Sequence, residues 1–126
     1  MSTLKVNTLT DTAATKSVPI EDVVNGVARA WVNFNGTGTV AIRASYNVTS
    51  ITDNGTGDYT VNFTNAMTDA NYAIAGTGSG ATTNMLPVTP ADATTARTTS
   101  AARFVILASN GGAAVDCAQV SIVIFR

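Results

Sequence analysis

From Ala28 onward, apolar and polar positions alternate along the chain. Ala28, Ala30, Val32 and Phe34 fall on one side of an extended segment, and Arg29, Trp31 and Asn33 on the other. That period of two is the mark of a half-buried β-strand. Val40 and Ile42 follow a glycine-containing break. Tyr46 and Val48 then share one face with Ile51 opposite, and Tyr59, Val61 and Phe63 alternate behind a second break. Asn71 to Ala75 and Arg103 to Leu107 read as two more strands. In the last run, Asp116 to Arg126, Ala118, Val120, Ile122 and Ile124 oppose Cys117, Val123 and Phe125. Seven short strands separated by Gly, Asn and Thr turns predict an all-β fold, a small antiparallel β-sandwich of jelly-roll-like type over residues 20–126. Trp31, Phe34, Tyr59, Phe63, Phe104 and Phe125 are its expected large core residues, which should let it fold alone.

Residues 1–19 break this pattern. Their large apolar side chains ahead of Pro19 are few, chiefly Leu4, Val6 and Leu9 among Thr, Asn and Ser. Such a segment is too polar to bury itself, yet Thr-rich enough to lie extended along a partner. It is therefore expected to be an attachment arm, with Leu4, Val6 and Leu9 as its contacts. Ile20, Val23 and Val24 stand at helical spacing and Gly26 as a stop, which predicts one short helix. Residues 76–102 are rich in Gly, Ala and Thr and predict a surface loop with a short edge strand near Met85-Leu86.

The sequence Asn-Gly-Thr-Gly occurs twice, at residues 35–38 and 54–57. A phosphate loop needs its glycines on a strand-to-helix turn, where backbone N–H groups and a helix N-terminus converge on the anion. Both repeats are followed by strand patterns instead. Asn-Gly suits the positive φ angles of a tight hairpin, and the second glycine admits a bulge, so both are read as hairpin turns. A calcium loop at Asp53 to Asp58 fits poorly, because glycines stand where alternate ligands belong.

Composition narrows the chemistry. Charged residues make up 12% of the chain and the net charge is −1, so no basic footprint for nucleic acid is expected. The longest apolar run, Phe104 to Ala108, is far short of a membrane helix. The start of the chain lacks the apolar core of a secretory leader. The four Asn-x-Ser/Thr matches, at Asn35, Asn47, Asn54 and Asn62, are thus by-products of a Thr- and Asn-rich composition. One cysteine, Cys117, excludes an intrachain disulfide and fits synthesis in a reducing cytoplasm. Histidine is absent, which removes the usual general base. No catalytic constellation, cofactor site or metal site is expected. Arg29, Trp31 and Asn33 share one strand face and form a candidate subunit interface or glycan contact. A weakly charged domain with apolar residues on both strand faces has surface to hide, which predicts a homo-oligomer, most simply a trimer.

Three stretches carry a family resemblance. Ala30-Trp31-Val32-Asn33-Phe34-Asn35-Gly36-Thr37-Gly38-Thr39-Val40-Ala41-Ile42-Arg43, continuing through Ile51 to Phe63, resembles a module of tail-fibre and other virion proteins of marine and related tailed phages. Val120 to Arg126 resembles the close of that module, and Ser2 to Thr10 the opening of such proteins. The resemblance implies a virion structural protein, commonly trimeric, made in the host bacterium and exposed on the particle. Its arm would meet other virion proteins and its sandwich would be open to contact with a host-surface glycan. A capsid decoration protein that clamps major-capsid subunits is the alternative, as is a host-glycan-binding module.

Overall fold

The computed structural model describes residues 2, 3, 5–79, 86–91, 97–108 and 112–126. Along these the elements are β1 (Thr8–Thr10), β2 (Ser17–Pro19), α1 (Ile20–Gly26), β3 (Ala28–Asn35), β4 (Ala41–Tyr46) and β5 (Val48–Gly55). Then come β6 (Asp58–Phe63), β7 (Ala73–Ser79), β8 (Leu86–Pro90), β9 (Ala101–Ile106) and β10 (Gln119–Phe125). Strands β3 to β10 form one antiparallel sheet in the order β4-β3-β10-β7-β8-β9-β6-β5. The sheet folds over on itself into a sandwich-like fold, so the predicted all-β class is present.

The alternation explains the packing. Ala30, Val32 and Phe34 of β3 and Val120, Ile122 and Ile124 of β10 point inward. They share one core with Tyr59, Val61 and Phe63 of β6 and Ala102, Phe104 and Ile106 of β9. Across the layers Phe34 packs edge-on against Tyr59, ring centres 5.2 Å apart, and Phe63 packs edge-on against Tyr72 at 5.8 Å. A fully buried large side chain contributes about 1.5–3 kcal/mol, and every member of this core comes from residue 30 or later. Two expected core residues are placed differently. Trp31 and Phe125 lie on the outer side of the sheet, 40% and 37% exposed, because each neighbours an inward residue in an alternating strand.

Asn47 is the single residue between β4 and β5, where the chain passes from one layer to the other. Its φ is 54°, a left-handed conformation that Asn tolerates better than most residues. Its amide nitrogen donates to the Arg29 carbonyl at 3.1 Å and the Asn65 carbonyl at 3.2 Å. Its amide oxygen accepts the Asn65 backbone N–H at 2.8 Å. One side chain thus ties β3 to the segment after β6, on opposite layers.

The prolines of residues 76–102 are handled by a strand that changes sheets. Leu86 and Pro87 pair with β7, whereas Val88, Thr89 and Pro90 pair with β9. Met85 lies outside the described residues, but Leu86 corrects the expectation of an edge strand in a loop: residues 76–79 belong to β7 and β8 joins the layers, each half of it with an open side toward which a proline can turn its missing N–H.

Within the arm the chain turns back on itself. Strands β1 and β2 pair antiparallel, Thr8 with Pro19 and Thr10 with Ser17. The Asp11 carboxylate accepts the Thr15 N–H at 2.8 Å, the Thr15 hydroxyl at 2.7 Å and the Lys16 N–H at 3.1 Å. These donors hold its pKa below the ordinary carboxylate value. Neither strand nor α1 buries a residue. Leu4 lies outside the described residues, while Val6 and Leu9 are both exposed.

Candidate functional site

Strand register arranges the outer face of β4-β3-β10-β7 in rows. Tyr46, Trp31, Val123 and Ala75 stand side by side across the four strands. The next row is Ala44, Asn33, Ser121 and Thr77. The first row is apolar, with Tyr46 58% exposed. The second is polar apart from Ala44, and Asn33 bonds within the sheet. The Asn33 amide donates to the Ser121 hydroxyl at 2.9 Å and to the Val120 carbonyl at 3.2 Å. Between the rows lies a shallow hollow of about 440 Å³, walled by Trp31, Val123, Ala75, Asn33, Ser121 and Thr77.

The three candidate residues therefore separate. Trp31 and Asn33 line this hollow. Arg29 instead opens on a second recess of about 440 Å³ at the end of the sandwich, with Tyr46, Asn47, Asn65 and Arg126. Its Nε donates to the Arg126 carbonyl at 3.1 Å. The Arg126 guanidinium makes a bidentate ion pair with Asp69, which lowers the Asp69 pKa. Tyr46 borders the Arg29 recess and is Trp31's cross-strand neighbour.

The twin Asn-Gly-Thr-Gly turns do join antiparallel strands, β3 to β4 and β5 to β6. Positive φ falls on glycines alone, at Gly38 (61°), Gly55 (131°) and Gly57 (67°), and not on Asn35 or Asn54. The remaining glycine, Gly36, is needed for space: a Cβ there would sit 2.6 Å from the Tyr59 hydroxyl. Gly57 carries both constraints, since its Cβ would meet Val115 N at 2.6 Å and Val115 O at 2.8 Å.

The two repeats converge on one place. The Tyr59 hydroxyl lies 2.7 Å from the Gly36 carbonyl oxygen and 2.7 Å from an Asp116 carboxylate oxygen. The same carboxylate oxygen accepts the Gly57 N–H at 2.7 Å, and the Gly36 N–H donates to the Cys117 carbonyl at 2.9 Å. Burial first, then the Asp116 hydrogen bond, pushes the Tyr59 pKa well above the ordinary phenol value. Cys117 is buried, and desolvation raises its thiol pKa. That disfavours the thiolate a nucleophile needs. This cluster is a structural clasp between loops. Local pattern shows the repeats only as separate turns; the one local signal of their union is Tyr59, two residues past Gly57 and inward by alternation.

Among the described residues, no group of three or more Cys, Asp or Glu side chains is gathered to hold a metal ion, and no helix is long and apolar enough to cross a membrane. The surface feature most suited to recognition is the outer face around Trp31, with Tyr46 at its border. No family model, curated protein or solved structure matches the chain.

Proposed function

We propose that this chain is a structural protein of a tailed-phage virion, a tail-fibre or head-fibre component whose arm attaches and whose sandwich is displayed. The carrying observation is the independence of the two parts. The core is drawn wholly from residues 30–124, while β1, β2 and α1 bury nothing. Ordering each backbone residue costs about 1–2 kcal/mol, so a segment without a core of its own gains its use on a partner. The resemblance of residues 30–63, 120–126 and 2–10 to virion modules supports the reading that this partner belongs to a phage particle. In this reading the protein is made in the host bacterial cytoplasm and resides in the virion.

The test is deletion of residues 1–18 in the phage that encodes the chain, followed by imaging of purified particles. The expected result is a protein that stays folded but is missing from the particle. Full occupancy without the arm would sink the attachment reading. Density on the capsid lattice rather than on a fibre would move the protein to the decoration class.

A further inference from the structure

We propose that the hairpin and helix preceding the sandwich in one copy cover the outer sheet face of a second copy. This goes beyond the proposed virion role and holds or fails independently of where the protein resides. Among the described residues, nine large hydrophobic side chains are exposed, and they fall into two groups. Val6, Leu9, Val18, Val24 and Val27 belong to the arm, α1 and the residue after it. Trp31, Tyr46 and Phe125 lie on the outer sheet face, with Ile42 on the neighbouring edge strand β4. Each group lacks what the other offers.

Three observations favour a second copy as the occupant. Asn33 of the polar row donates within its own sheet to Ser121 and Val120, and the hollow beside the apolar row has room for side chains such as Leu9 and Val18. The charges also match. The described ion pairs join Arg103 to Asp58 and Arg126 to Asp69. Glu21 and Asp22 on α1, and Arg29 in the recess that Tyr46 borders, have no ion-pair partner among the described residues. Finally, the arm leaves its own face open: Asn25 of α1 borders the recess beside Tyr46, yet Trp31, Tyr46 and Phe125 all stay exposed. Among the described residues no hydrogen bond joins residues 2–27 to the sandwich, and only Val27 separates α1 from β3. Lying on the face of its own sheet would demand a reversal at that residue, whose φ and ψ of −86° and 132° are extended. A second copy needs no such reversal. The contact is head-to-tail, so it closes into a ring when the rotation permits. Residues 2–7, ahead of the hairpin, remain available to other partners.

The test uses two full-length variants, one altered in the arm (Leu9→Glu with Val18→Glu) and one in the face (Tyr46→Glu with Trp31→Glu). Circular dichroism first establishes that both are folded; if the face pair is not, Trp31→Gln alone replaces it. Sedimentation at micromolar concentration should show the parent chain as an oligomer. Each variant should weaken association by roughly tenfold or more. An equimolar mixture should regain a two-chain species, because one variant keeps its arm and the other its face. A monomeric parent chain, variants that associate like the parent, or a mixture that stays monomeric would each overturn the proposal. So would an oligomer whose Trp31 face binds a soluble oligosaccharide without dissociating.

Discussion

Replacing Tyr59 with Phe isolates the clasp between the two glycine turns. The change removes one oxygen and leaves the ring against Phe34, at 5.2 Å, and Phe104, at 6.0 Å. What it strands is the carbonyl of buried Gly36, which accepts the hydroxyl at 2.7 Å. A buried acceptor left unpaired costs about 1–3 kcal/mol. Asp116 adds little, because it is exposed to water and keeps the Gly57 N–H. The expected loss is therefore about 2 kcal/mol, read as a lower urea midpoint with an unchanged slope by far-ultraviolet circular dichroism. The pH dependence supplies a second reading. The folded-state pKa of Tyr59 is raised by burial, so above about pH 10 the unfolded chain has lost a proton that the folded chain keeps. Stability is then full below that pH and declines as pH rises toward the folded pKa. Tyr59→Phe should flatten this decline, while Tyr72, also raised by burial, leaves a residual slope. A loss below about 0.5 kcal/mol together with an unaltered alkaline curve would refute the clasp.

Three further predictions concern neighbouring features. Asn47→Ala should cost about 2–4 kcal/mol by urea unfolding, through its lost hydrogen bonds and left-handed backbone, and Asn47→Gly about 1 kcal/mol less because glycine accepts that conformation; equal losses would show that backbone strain plays no part. Gly38→Ala faces open space and should cost about 1–2 kcal/mol from its positive φ alone, whereas Gly57→Ala should cost clearly more, because its Cβ meets backbone atoms of Val115 and Ile106; a reversed order in thermal unfolding would contradict the packing. The Cys117 thiol, buried and raised in pKa, should react with a disulfide reagent only at the rate of unfolding, and rapid labelling in native buffer would disprove its burial.

The sequence by itself determined whatever depends on local periodicity. Alternation at Ala30, Val32 and Phe34, and at Tyr59, Val61 and Phe63, picks out the inward side chains, since neighbours on a strand must point oppositely. The helix over Ile20–Gly26 was legible from Ile20, Val23, Val24 and the glycine stop. Periodicity cannot say which apolar face lies inside when both carry aromatics, which is why sequence alone assigns Trp31 and Phe125 to the core and the structure does not. Nor does it show how distant segments meet. Tertiary structure alone decided that Pro87 and Pro90 sit in a strand changing sheets, and that Arg29 parts from Trp31 into another recess. It alone made Asn47 a tie between the layers and brought Gly36 and Gly57 to a single tyrosine. Each of these rests on hydrogen bonds or contacts between segments far apart in the chain, and such partners are set by how the sheet folds over, not by the residues on either side.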